Sequence, residues 1–279
     1  LTKIWPYSLS FRIMPISFNN PAYTPTTDNR FNTLAQQGSS GLRINSAADD
    51  AAGTAIAQGF SSQVRGIDVA ARNIGDGLSL LQTRSGAMST MTDQLQRMRE
   101  LTVQANNGIN GPEERALLNR EFTALRDTVF EQIEQARFNS KPLFGAEQQV
   151  FQTGPDAGQT TALDGNALNE QLEQLGLGSI TLASSGDLGN VLNSLDDAIS
   201  TIASNQAADG ALANRLEAQG NTLMQQKLDN SAALSRTQDL DYAKFASELA
   251  QTNTRDQASI LMQGQANANR ENVLRLLSG

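Results

Sequence analysis

The sequence predicts a mainly α fold in which long helices from the N- and C-terminal halves pack antiparallel as coiled coils around a small β-rich central insert. Three observations carry that reading. Phe60, Val64, Ile67, Ala71, Ile74, Leu78, Leu81, Ser85, Met88, Thr92 and Leu95 are spaced alternately by four and three residues, and only Ser85 and Thr92 are polar. Such a repeat is a coiled-coil seam. Residues 188–277 hold no proline, and residues 221–263 hold no glycine either. Between the halves, residues 138–189 change to short segments rich in Gly, Thr, Gln and Asn.

Four of the seven prolines, Pro6, Pro15, Pro21 and Pro25, fall within the first 25 residues. A long helix therefore cannot begin before about Thr26, and the helical pattern from Asp28 to Gly38 is thin. Gly38 and Gly41 flank a predicted turn. Ser46, with Asp49 three residues on, reads as the N-cap of the first long helix, which gives the acidic pair Asp49 and Asp50 a role at a helix start. A helix carrying the whole seam is about 54 Å long, at about 1.5 Å per residue. Gly59, Gly66, Gly75, Gly77 and Gly86 within it each cost about 1 kcal/mol against alanine, so it needs neighbours to hold it.

Asn106-Asn-Gly-Ile-Asn-Gly-Pro112 ends this helix with two Asn-Gly turn signals and a proline. Pro112, Glu113 and Glu114 suit the first turn of a second helix, whose apolar positions are Leu118, Phe122, Leu125, Val129, Ile133 and Ala136. It can lie antiparallel on the first. In the insert, residues 148–153 and 179–183 read as strands and 154–158 as a turn. Asp164-Gly-Asn166 lacks the ligand ladder of a calcium loop.

In the C-terminal half, Leu192, Leu195, Ile199 and Ile202 repeat the heptad step. Leu212, Leu216, Leu223, Leu228 and Leu234 continue it with apparent stutters, and a break is expected between Asn205 and Gly210. The terminal amphipathic helix carries Leu249, Ile260, Val273, Leu276 and Leu277, with nothing in the monomer to cover it, so another chain is expected to do so. The chain thus divides into a proline-bearing segment (1–37), a first helical half (38–145), a short variable insert (146–189), a second helical half (190–240) and a terminal helix (241–279).

Composition removes many chemistries. The chain has no histidine and no cysteine, which rules out His-based triads, Cys nucleophiles and Cys/His zinc sites. A net charge of −8 argues against nucleic acid. No apolar run reaches the roughly 20 residues of a membrane span, and the first 14 residues lack the pattern of a signal peptide. Adjacent acids such as Asp49/Asp50, Glu113/Glu114 and Asp196/Asp197 point about 100° apart on a helix, a poor arrangement for flanking one bond. No enzyme, cofactor or metal site is expected.

Several long motifs together resemble bacterial flagellin: Ser39-Ser-Gly-Leu-Arg-Ile-Asn-Ser-Ala47, Asp50-Ala-Ala-Gly53, Ala71-Arg-Asn-Ile-Gly-Asp-Gly77 and Leu95-Gln-Arg-Met-Arg-Glu-Leu-Thr-Val-Gln-Ala105. Arg137-Phe-Asn-Ser-Lys-Pro-Leu-Phe144, Phe151-Gln-Thr-Gly-Pro-Asp-Ala-Gly-Gln159, Asp239-Leu-Asp-Tyr-Ala243 and Asn272-Val-Leu-Arg-Leu-Leu277 continue the series. The resemblance covers residues 38–279. It implies a secreted structural subunit that polymerises into the flagellar filament for motility, with its terminal helix in the innermost tube and little or no outer domain.

Implied partners are further copies of the chain, the flagellar cap and junction proteins, an export chaperone and the animal Toll-like receptor for flagellin, with no nucleic acid and no membrane insertion. Arg97, Leu101 and Glu121 match the family's receptor-contact positions. The segment 1–37 departs from the family, whose members have an inner helix there. Its prolines imply that this helix is absent or broken, which bears on assembly and export. Two alternatives stand beside the filament subunit: the hook–filament junction protein of the same superfamily, and a cell-surface homologue that binds extracellular glycan.

Overall fold

The computed structural model describes residues 26–183 and 188–278, with side chains for 30–183 and 188–276. Pro6, Pro15, Pro21 and Pro25 and the side chain of Leu277 lie outside the described residues. The chain forms two compact units, one of residues 26–54 with 238–278 and one of residues 55–237.

In the first unit, helix α1 (Thr26–Ser40) runs against helix α6 (Tyr242–Ser278). The thin pattern between Asp28 and Gly38 is therefore helical. The reason is tertiary: Leu34 is buried, and Gly38 sits so close to the Phe245 ring that a Cβ there would lie 2.7 Å from Cζ. A helix weak in periodicity is rescued by its partner. Gly41 turns the chain at φ +71°, a conformation that glycine adopts without steric cost. Its carbonyl accepts from the Leu240 N–H at 3.0 Å, and Arg43 N–H donates to the Gln238 carbonyl at 2.7 Å, so a short antiparallel bridge sets Leu42 opposite Asp239. Asp241 then caps α6, its Oδ1 accepting from the N–H groups of Ala243 and Lys244 at 3.0 and 3.1 Å.

Helix α2 (Ala51–Ala105) starts later than Ser46. Its N-cap is Asp50, whose Oδ1 accepts from the Gly53 N–H at 2.8 Å while its carbonyl accepts from Thr54 N–H. Asp49 instead reaches backwards, its Oδ2 accepting from the N–H groups of Asn45 and Ser46 at 3.0 and 2.9 Å. Two acids in sequence thus close two consecutive turns.

The second unit is a bundle of α2, α3 (Pro112–Gln135) and α5 (Leu188–Gln238). Gly111 and Pro112 open α3 as expected, with Glu113 and Glu114 in its first turn and Phe122, Val129 and Ile133 buried. Side-chain bonds align α5 antiparallel to α2: Arg99 meets Asp196, Gln206 meets Ser89, Lys227 meets Asp68 and Asn230 meets Gln63. As the number falls along one helix it rises in step along the other.

Ile67, Ile74, Leu81, Met88 and Leu95 of the predicted seam are buried, and Phe60, Val64, Leu78 and Thr92 are half-buried. Ala71 and Ser85 are exposed. The other rail of the seam lies one residue earlier, at Ala70, Gly77, Arg84, Met91 and Met98. The ladder keeps its alternate three- and four-residue steps, but one rung is an arginine, which apolar spacing does not count. The same cause removes the predicted irregularity from α5. Its buried residues Leu188, Val191, Leu195, Ala198, Ile202, Asp209, Leu216 and Leu223 keep heptad register through an aspartate. The helix is continuous from 205 to 210, where a break was expected, and Leu228 is exposed.

The insert contains two antiparallel ribbons, β1 (Arg137–Phe138) with β2 (Lys141–Pro142) and β3 (Gln149–Gln152) with β4 (Thr160–Leu163), and a short helix α4 (Leu168–Gln174). Asn139 and Ser140 join the first ribbon with φ of 49° and 67°, the signature of a tight two-residue hairpin. Residues 179–183 are not a strand. They are held along α3, where Asn119 Oδ1 accepts from Thr181 Oγ1 and the Leu182 N–H, each at 2.7 Å. The partner of β3 is β4, anchored through Thr161 Oγ1, which donates to Gln219 Oε1 of α5 at 3.1 Å.

Candidate functional site

No catalytic constellation was expected, so the functional surfaces are those through which this chain can meet others. The first is a polar face on the second unit. Arg97 and Arg99 leave α2 on its exposed side two residues apart and therefore diverge. Arg97 reaches α3, with Nη2 2.8 Å from Glu121 Oε1, and also reaches Glu100 at 3.0 Å. Arg99 reaches α5, with Nε 2.7 Å from Asp196 Oδ1. Hydrogen bonds to Glu100 and then Glu121 push the Arg97 guanidinium above its ordinary pKa, as Asp196 does for Arg99. The face is a row of fixed, exposed, alternating charges.

Of the three residues matched to receptor contact, Arg97 and Glu121 lie on this face and are bonded to each other. Leu101 does not lie there. It is 1 % exposed, within the core. Its Cα stands one helical turn after Arg97 on α2.

Beneath the bundle surface sits a feature that apolar periodicity missed. Arg84 Nε of α2 lies 2.9 Å from Asp209 Oδ2 of α5, and both side chains are 5 % exposed. The two atoms touch as an ion pair, but neither is in line for a hydrogen bond. Burial pushes the Asp209 carboxyl up, opposed by the charge of Arg84, and pushes Arg84 down, opposed by Asp209. They border a recess of about 370 Å³ shared with Asn166, Gln171, Asn205 and Arg215. Their heptad spacing to Leu81, Met88, Ile202 and Leu216 was the signal available in the sequence.

The third surface belongs to the first unit. Leu249 and Phe245 of α6 are half-buried and Thr252 is buried, but from Gln257 onward the described helix is almost wholly exposed. Ile260, Leu261, Met262, Val273, Leu274 and Leu276 are between 54 % and 84 % exposed. These residues fall in two groups, 260–262 and 273–276, about three turns apart on the helix. Among the described residues no helix is long and apolar enough to cross a membrane, and no group of three His, Cys, Asp or Glu could hold a metal ion.

Residues 16–149 match the family described as the bacterial flagellin N-terminal helical region, and residues 192–277 match the bacterial flagellin C-terminal helical region. A flagellin of Halalkalibacterium halodurans is 36 % identical over 241 residues, covering 86 % of this chain and 89 % of its own. A flagellin of Bacillus subtilis is likewise 36 % identical, over 277 residues, covering 86 % and 90 %. The crystal structure of Bacillus cereus flagellin matches with TM-score 0.50 and 26 % identity over 55 % of this chain and 88 % of that one. A putative flagellar hook-associated protein from Vibrio parahaemolyticus matches with TM-score 0.58 over 68 % of this chain and 100 % of its own, and at 14 % identity that likeness is one of fold alone.

Proposed function

This chain belongs to the bacterial flagellin family and is a structural subunit of the flagellar filament, and on that premise we propose how its surfaces serve assembly. The exposed apolar run of α6 is the surface that neighbouring subunits cover as the filament grows, outside the cell. The observation that carries this reading is the exposure of Ile260, Leu261, Met262, Val273, Leu274 and Leu276 on one helix. Identical subunits meeting through two different patches propagate into an open helix when the rotation between them does not close a ring.

The finer partners follow the same premise. Before assembly, that run needs protection, the task of an export chaperone. At the growing tip it is delivered beneath the cap, and at the base it continues the contacts of the junction proteins. The Arg97–Glu121 face is proposed as the surface met by the animal Toll-like receptor for flagellin, with Leu101 holding it in place. The chemistry of the chain is mechanical, without catalysis. The fold-level likeness to a hook-associated protein does not favour the junction reading over the filament reading.

The test is electron microscopy of the purified full chain under polymerising conditions, beside Ile260→Asp. The expected result is long filaments of uniform diameter from the parent and soluble monomer of unchanged helicity from the variant. Filaments from both would remove α6 from the interface.

A further inference from the structure

We propose that Asn107, in the exposed turn between α2 and α3, is a site of spontaneous modification, converting to aspartate and isoaspartate by deamidation without an enzyme. The turn holds two Asn-Gly steps, Asn107-Gly108 and Asn110-Gly111. Asparagine is a chemically labile residue, and a following glycine removes the Cβ that would hinder attack on its side chain.

The reaction starts when hydroxide takes the Gly108 amide proton. The Gly108 nitrogen then attacks the Asn107 Cγ, forming an N–C bond that closes a five-membered succinimide. The bond from Cγ to the side-chain nitrogen breaks, and that nitrogen takes a proton from water and leaves as ammonia. Water opens the ring at one carbonyl or the other, giving aspartate or isoaspartate. One water is consumed and one ammonia released, and one negative charge appears.

Local geometry separates the two steps. Asn107 and Gly108 are exposed, and a Cβ at Gly108 would meet nothing within 4 Å. Among the described residues none accepts a hydrogen bond from the Gly108 N–H. The Ile109 N–H donates to Asn107 Oδ1 at 3.3 Å, placing a donor on the oxygen where negative charge develops as Cγ becomes tetrahedral. Asn110 is tied down instead. Its backbone N–H donates to the Asn107 carbonyl at 3.0 Å, and its side-chain amide, the leaving group, donates to the Gln104 carbonyl at 2.6 Å. Gly111 is the N-cap of α3, its carbonyl accepting from the Arg115 N–H at 3.1 Å. The product at 107 puts a carboxylate just beyond the negative end of the α2 dipole and, as isoaspartate, one extra methylene into the connector.

The test incubates the purified full chain in mildly alkaline and mildly acidic buffer. Peptide mass spectrometry follows a gain of about 1 Da at each asparagine, and enzymatic methylation of isoaspartyl carboxyls reports the isomer. The expected result is conversion at Asn107 several-fold faster than at Asn110, faster in the alkaline buffer, with isoaspartate present. Gly108→Ala is expected to slow it several-fold. Gly108 lies outside the left-handed region, so alanine fits, and circular dichroism checks the fold. No conversion at Asn107, conversion at Asn110 equally fast, or an unchanged rate in a natively helical Gly108→Ala chain would overturn the proposal.

Discussion

Arg84 of α2 and Asp209 of α5 form an ion pair 2.9 Å apart, with each side chain 5 % exposed, in a bundle seam that is otherwise uncharged and mostly apolar. Two charges taken out of water recover their solvation only through each other. The pair therefore ties the register of the two helices: sliding either by one heptad would set a buried charge against a hydrophobic rung.

Removing one partner is the costly change. Asp209→Leu leaves the Arg84 guanidinium buried without a counter-charge and should cost about 3–5 kcal/mol of stability. The double variant Arg84→Met with Asp209→Leu should recover that loss or exceed it. Urea unfolding followed by circular dichroism measures both. A double variant as unstable as the single would mean the pair contributes more than mutual neutralisation.

The two matched residues, Arg97 on the polar face and Leu101 in the core, should separate by mechanism. Arg97→Ala removes a half-exposed ion pair, and exposed pairs hold little stability, so its unfolding midpoint should match the parent while any receptor signal falls. Leu101→Ala empties a core position that is 1 % exposed and should cost about 2–5 kcal/mol. Its signal should fall only as far as its fold does. A reporter-cell assay run beside the unfolding curves distinguishes the two. A full-strength response to Arg97→Ala would remove that residue from the recognition face.

The helical halves and the antiparallel hairpin at Pro112 were legible because apolar spacing and Asn-Gly-Pro signals are local. One rail of the seam was misplaced by a single residue for an equally physical reason. Ala71, Ser85 and Thr92 were preferred over Ala70, Arg84 and Met91 because an arginine reads as surface unless its aspartate, 125 positions away, is known. Asp209 broke the reading of α5 in the same way. Helix α1 depends on a partner distant in sequence, and Leu101 showed nothing in its own motif to say that it faces inward.

Gly41→Ala tests the turn that brings α1 and α6 together. The φ of +71° at Gly41 is one that a side chain disfavours by about 1–2 kcal/mol, and its carbonyl holds the Leu240 N–H. The variant should lose hydrogen-exchange protection at Leu240 and Arg43 first, with the Phe122 core unaffected. Uniform loss across both units would mean that the turn is coupled to the whole fold.

Asp49 supplies a pH dependence with a definite sign. Its carboxylate accepts from the N–H groups of Ser46 and Asn45, and those bonds, Ser46 first, hold its pKa below the ordinary 3.8. A folded-state pKa depressed below the unfolded value means that ionised Asp49 stabilises the turn above the unfolded pKa, and that this contribution is lost as pH falls through the folded one. The turn before α2 should therefore stay closed down to pH 3.8 and open progressively below it. Amide chemical shifts of Asn45 and Ser46, followed through an acid titration, read this directly. In Asp49→Asn the acceptor remains but the charge does not, so the same two shifts should be flat across that range. A titration in the variant as large as in the parent would assign the acid transition to another carboxylate.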